Sequence, residues 1–312
     1  MTKPIIKWSG RKTYLTPYID EYLSKLGEQQ FTYYEPFMGS GAVYFHLAGH
    51  TDNLKKAYLN DSLKELVVLY QTIENSDLYR MMKNINNEIT RYMFHLNGRK
   101  TDYRSKTKIF KEWKDEYNSL IEPLSFDNLG RNKKIRVSIL FLLLNYSCFN
   151  GVYRKTSKGL FNVPHGRTST KSGIKDNNIS IPDLKIFKNA KKYFKDTNAN
   201  FSSVDFKQAL STVKKGDVVY LDPPYYDSVN YYNEVDFTHE NQKELRDEMI
   251  RLAELGAHVM MSNSKSRECK KLFNSPHFEI KEIPVTRTIQ RKKKPNHQYK
   301  EDKKELFITS CL

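Results

Sequence analysis

Between Phe31 and Thr72 the chain reads as strand, glycine turn, helix, strand, helix. TYYEPF is rich in β-forming residues, Gly39-Ser40-Gly41 interrupts it, and AVYFHLAG continues with helical character. AYLND is a second short strand. Ser62 and Glu65 have the spacing of a capping box at the head of SLKELVVLYQTI. Strands that alternate with helices bury their apolar faces as a parallel sheet, so this order predicts an α/β fold.

The alternation then stops and restarts. From about Asn75 to Asn145, Lys- and Asn-rich stretches carry Leu, Ile, Met and Phe at helical spacing, which predicts several helices and no strand. Phe149 to Asp176 is rich in turn residues. Strand character returns in FSSVDF, DVVYLDPP and HVMMSNS, with helices between them, the clearest from His239 to Leu255. HFEIKEIPV and ELFITSC read as a closing strand pair. A helical, basic insertion therefore interrupts a doubly wound α/β domain between its second and third strands. Residues 1–74 and 177–312 form the domain, and 75–176 form the insertion.

Charge narrows the function. Lys and Arg number 52 against 36 Asp and Glu in 312 residues, a net charge of +16, which predicts a polyanion partner. The 21 tyrosines and 17 phenylalanines add rings suited to base stacking. Cys148, Cys269 and Cys311 lie far apart without metal-ligand spacing, which argues for a reducing compartment and against a zinc site. The histidines show no HExxH pairing; His165 and His297 are expected to be exposed and receive no role. The N-terminus lacks a signal-peptide run, and the most apolar stretch, Val137 to Leu144, is too short to cross a bilayer. A cytoplasmic protein without membrane or metal is expected.

Two segments carry chemistry. Glu35-Pro36-Phe37-Met38-Gly39-Ser40-Gly41 stands at a strand-to-helix turn, where glycines admit a ligand to the backbone and the helix offers free N–H groups. Asp61 follows the next strand, where an acid commonly holds ribose hydroxyls. Phe45 occupies the place of the third glycine of a dinucleotide fingerprint, which disfavours NAD and favours another nucleoside cofactor. The second segment is Asp222-Pro223-Pro224-Tyr225, directly after the apolar strand Val218 to Leu221. Its prolines stiffen the strand's carboxyl end, where ligands of α/β sheets bind. The Asp222 carboxylate and the Pro223 carbonyl are two acceptors suited to the two donors of a planar amino group. Tyr225 offers a face for stacking a base.

Together, DPPY and EPFMGSG resemble the S-adenosylmethionine-dependent amino methyltransferases of DNA. KWSGRK at 7–12, LND at 59–61 and CFNGVYRKTSKGLFNVPHGR at 148–167 are similar to the Dam-type adenine-N6 DNA methyltransferases, the alpha-group or D12 class. The likeness runs from Lys7 to the terminal ELFITS. It implies a Rossmann-like methyltransferase sheet that binds S-adenosyl-L-methionine and carries a target-recognition insertion with a hairpin near 149–167. It implies that Trp8, Lys12, Phe37, Gly39, Gly41, Asp61, Asp205 and Asp222 surround the cofactor, with Lys12 near its carboxylate, Asp61 on the ribose and Asp205 by the adenine. Asp222, Pro223 and Tyr225 would receive the flipped target base. Lys7 and the hairpin would reach double-stranded DNA, with Phe149 as a wedge, Asn150, Val152 and Arg154 toward bases, and Pro164 in an apolar contact. A GATC-like target and a monomeric enzyme are expected. The chain departs from the family's habit at Arg11, where a second glycine is common, and at Tyr146, where a basic residue is common. Arg291-Lys292-Lys293-Lys294, with Lys300, Lys303 and Lys304, resembles a phosphate-contacting loop, with a merely solvated charged loop as the alternative. Ser262-Asn263-Ser264 follows a strand and reads as a polar turn rather than as a lining of the site. Methylation of RNA or of cytosine N4, a silent DNA-binding regulator and a nicotinamide enzyme remain the rivals.

Overall fold

The computed structural model describes residues 4–10, 12–95, 98–121, 129–166, 168–170, 173–175, 179–225, 237–285 and 304–311. Helix α1 (Thr16–Ser24) leads into β1 (Phe31–Glu35), α2 (Ala42–His50), β2 (Leu54–Asn60) and α3 (Lys64–Asn75). Helices α4 (Leu78–Met93), α5 (Tyr103–Ile121) and α6 (Arg131–Ser147) follow, then a ribbon at 148–166 and the short pair β3 (Thr168–Thr170) and β4 (Gly173–Lys175). The alternation resumes with α7 (Leu184–Asp196), β5 (Asn200–Ser202), α8 (Phe206–Ala209), β6 (Val218–Leu221), α9 (His239–Leu255), β7 (His258–Ser264) and α10 (Arg267–Leu272). The antiparallel partners β8 (Phe278–Pro284) and β9 (Lys304–Ser310) complete it.

Seven strands form one sheet in the order β5-β2-β1-β6-β7-β9-β8. The first five run parallel, and β9 enters antiparallel to β7. Sequence reasoning anticipated this α/β fold, including the closing strand pair and α9 with both its ends. Central strands covered on two faces need continuous apolar runs, and β6 is buried at every position. The outer strand β8 instead exposes Glu279, Lys281 and Pro284 and buries only Phe278 and Ile283. Parallel strands present their carboxyl ends on one side, so the segments after β1, β2, β6 and β7 converge there.

The apolar run Val137–Leu144 lies inside α6 and is buried all round, as a helix without a polar face must be. It packs between α3 and α5. One apolar cluster joins Tyr33 and Leu59 of the sheet to Leu66 of α3, Leu140 of α6, and Tyr153 and Phe161 of the ribbon. The opposite sheet face packs Val219 and Leu221 against Leu245 and Met249 of α9.

Two local expectations need correction. No capping box opens α3: Leu63 is its N-cap and no side chain caps it. Asp61 accepts the Leu63 N–H at 2.9 Å instead, and Glu65 is buried against the ribbon. His165 is buried, not exposed; its ring bonds the Tyr92 hydroxyl at 2.6 Å and the Thr107 hydroxyl at 3.0 Å. The ribbon brings His165 back beside Cys148, which turns the imidazole into the helical core. Arg11, His297 and the basic stretch 286–303 lie outside the described residues.

Candidate active site

The glycine turn is held by the strand beside it. Gly39 and Gly41 adopt φ of +48° and +64°, a region that disfavours side chains. A Cβ on Gly39 would lie 2.7 Å from Trp8 Nε1, so the indole itself requires glycine there. The Gly39 N–H donates to Asp61 Oδ2 at 2.8 Å, and Tyr70 donates to the Gly39 carbonyl at 3.0 Å. Burial pushes the Asp61 carboxyl up to about 6, although the N–H groups of Leu63 and Gly39 favour its charge. Asn60 donates to the Pro36 and Val204 carbonyls, both at 3.0 Å, and so ties this turn to the one after β5.

Beside the turn, Phe37 packs on Phe206 at 5.7 Å between ring centres and edge-on to Phe237 at 5.8 Å. Asp205 is exposed and caps α8 by accepting the Lys207 N–H. This aromatic cluster, the exposed Asp205 carboxylate and Asp61 on the neighbouring turn are the groups here that could hold a nucleoside.

Asp222 ends β6 between two partners from distant parts of the chain. Lys12 Nζ lies 3.0 Å from its Oδ1, and Ser262 of β7 donates to the same oxygen at 2.9 Å. Burial raises the Asp222 carboxyl above the ordinary aspartate range, while Lys12 and Ser262 oppose the shift. Lys12 is itself buried; it donates to the Gly10 carbonyl at 2.9 Å and stands 4.7 Å over the Tyr225 ring. The Tyr225 and Tyr14 hydroxyls both donate to Oε2 of Glu305 on β9. Gln242 of α9 donates to the Pro224 carbonyl at 2.8 Å and accepts from Asn263 at 3.2 Å. The turn after β6 is thus pinned from α9, β7 and β9. Pro223 is buried within it.

The ribbon supplies the polar outer surface. Phe149 N–H bonds the Pro164 carbonyl at 3.0 Å, and Asn162 N–H bonds the Arg154 carbonyl at 3.0 Å, so the two arms run antiparallel. Phe149 is 49 % exposed, and Asn150, Arg154 and Pro164 are exposed too. Val152 is half-buried. Asn150 adopts a left-handed φ of +54°. Lys7 donates its N–H to Asn145 Oδ1 at 2.8 Å, and its ammonium lies 4.9 Å from the centre of the Tyr146 ring.

A family model for D12 class N6 adenine-specific DNA methyltransferases matches residues 8–289, a span that holds both the glycine turn and the Asp222 turn. This chain belongs to that family. As a D12-class methyltransferase it is 31% identical over 295 residues to the Type II methyltransferase M1.LlaDCHI of Lactococcus lactis subsp. cremoris, covering 92% of this chain and 89% of the relative. It is 30% identical to the Type II methyltransferase M.MjaIII of Methanocaldococcus jannaschii, over 93% of each chain. The DNA adenine methylase of Haemophilus influenzae is 27% identical over 96% of this chain and 92% of its own.

Within this D12-class enzyme, the structure gathers Lys12, Asp222 and Tyr225 in one cluster and Trp8, Gly39 and Asp61 in another. Lys7, Phe149 and Arg154 lie away from Asp222 in sequence, on the α6 and ribbon side. Ser262 was read as a polar turn; it is a strand residue that bonds Asp222, because β7 pairs with β6 in register. Tyr14, Gln242 and Glu305 carried no signal in the sequence. Tyr146 is buried and donates to the Ile5 carbonyl at 2.9 Å, which explains why an aromatic serves there. Cys148 is buried and its thiol is pushed up to about 12, so it is a packing residue. Among the described residues, no cluster of three His, Cys, Asp or Glu could hold a metal, and no helix is long and apolar enough to cross a membrane.

Proposed function

We propose that this enzyme transfers a methyl group from S-adenosyl-L-methionine to N6 of an adenine flipped out of double-stranded DNA, within GATC or a site containing GAT. The observation that carries this reading is the pinned Asp222–Tyr225 turn beside the glycine turn. The cofactor supplies an electrophilic methyl on a sulfonium. Trp8, Phe37, Gly39, Gly41, Asp61 and Asp205 hold it, with Asp205 by the adenine and Asp61 on the ribose.

Asp222 and the Pro223 carbonyl accept the two N6 hydrogens, which raises electron density on the nitrogen and stabilises the positive charge that grows there. Their rigidity matters as much as their charge, since little reorganisation remains once the base arrives. The Tyr225 ring stacks on the base. Flipping costs a few kcal/mol of unstacking, and Phe149 fills the vacated space. A two-stranded ribbon fits the major groove, where Arg154 reads a guanine through O6 and N7. Residues 75–176 form the target-recognition domain, and Lys7 reaches the DNA. The enzyme works as a cytoplasmic monomer.

Base-modification sequencing of DNA from cells that express the protein tests the reading. N6-methyladenine in one short GAT-containing site is expected. Modified cytosine, or modification confined to RNA, would overturn it.

A further inference from the structure

Arg154 sits between two residues tied to one buried carboxylate. Lys155 Nζ lies 2.7 Å from Glu65 Oε1, and the Tyr153 hydroxyl donates to the same oxygen at 3.3 Å. Glu65 is fully buried on α3, the helix that starts just after Asp61. The Tyr153 hydroxyl also shares a hydrogen bond with Tyr117 of α5 at 3.0 Å. On the returning arm, Asn118 accepts the Phe161 N–H at 2.9 Å and donates to the Phe161 carbonyl at 3.1 Å. Arg154 itself is exposed and bonds Asn162 Oδ1 across the ribbon at 2.8 Å.

We propose that Glu65 is a positioning residue for sequence recognition: by clamping Tyr153 and Lys155, it fixes the height and direction from which Arg154 meets the DNA. The inference rests on the reading of Arg154 as a base contact. A buried carboxylate is costly unless it is paired, and packing alone would be served by an apolar residue at position 65. Glu65 Oε2 has no hydrogen-bond partner among the described residues, so the helix carries that cost for the bonds made by Oε1 alone. The geometry also gives the clamp its reference. Asp61, two residues before the N-cap of α3, bonds the glycine turn and the Leu63 N–H, and Glu65, in the first turn of the helix, bonds the ribbon. The distance from the reading side chain to the transfer site is then set through α3. A bidentate pair with guanine tolerates little displacement, so a loosened ribbon loses discrimination before it loses DNA.

The experiment uses the full chain and its own methylated site, defined by sequencing, with duplexes changed at one base pair each. Rates are measured for the parent, Arg154→Ala, Glu65→Gln and the double variant Glu65→Gln with Lys155→Met. The double variant removes both charges together and leaves no buried ion unpaired, so it covers the case in which Glu65→Gln does not fold. Arg154→Ala is expected to relax selectivity at one base pair about 5- to 150-fold. Glu65→Gln and the double variant are expected to relax selectivity at that same base pair several-fold, with unchanged affinity for S-adenosyl-L-methionine. If Arg154→Ala acts at one base pair while both Glu65 variants slow all duplexes equally, Glu65 is structural and the positioning role is overturned. If Arg154→Ala itself slows all duplexes equally, the base-reading role falls, and the clamp's purpose with it.

Discussion

Lys12 Nζ stands 3.0 Å from Asp222 Oδ1, a contact between residues 210 positions apart in the sequence. The lysine favours the charged carboxylate that burial disfavours. Asp222→Ala is expected to abolish methyl transfer while DNA affinity stays near that of the parent, because the proposed phosphate contacts lie elsewhere. Lys12→Met removes an influence that lowers the Asp222 pKa, so the carboxyl should titrate at higher pH. The acid limb of the rate profile, measured at saturating cofactor, is then expected to move upward. An unmoved limb would separate Asp222 ionisation from turnover.

In the proposed reaction Tyr225 serves through its ring, and its hydroxyl holds the ring in place through Glu305. Tyr225→Phe loses the bond to Glu305 and should cost about 1–2 kcal/mol of stability, with turnover close to the parent's. Tyr225→Ala removes the stacking face and should reduce turnover severely. Urea unfolding and single-turnover rates on the two variants distinguish these effects; equal turnover would remove the ring from the mechanism.

Asp61 links stability to pH. Its folded value of about 6 exceeds the ordinary aspartate value of 3.8, so the folded chain holds more protons between those limits. Stability should therefore fall as pH rises from about 4 to about 6, by at most about 3 kcal/mol from this residue. Denaturant titrations of the parent and of Asp61→Asn at pH 4.5 and 6.5 test the sign. The parent should lose more stability than the variant. Asp61→Ala should also weaken S-adenosyl-L-methionine binding, which calorimetry measures.

Phe149 is exposed to about half its area, so Phe149→Ala should leave the fold's stability nearly unchanged. As a wedge it lowers the cost of emptying the stack, and a mismatched target is already easier to flip. The variant should therefore slow methylation of a paired duplex more than that of a duplex mismatched at the target adenine. Equal slowing on both would exclude the wedge role.

The sequence by itself determined the α/β alternation, the position of the helical stretch, and both turns where chemistry is concentrated. These are local properties: apolar runs with β-branched residues, glycines that tolerate positive φ, and prolines that end a strand. The 148–166 ribbon read locally only as a turn-rich segment, and the hairpin came from the family resemblance. Only the tertiary structure decided the partners of Asp222. Ser262 reaches it because β7 lies beside β6, and Glu305 reaches Tyr225 because β9 inserts between β7 and β8. Strand order in a sheet is a property of the whole chain's burial, so no local pattern around residue 262 or 305 could announce it. The same holds for Glu65. Its spacing from Ser62 matches a helix cap, yet Lys155, ninety residues on, offers a buried carboxylate the cation that it needs.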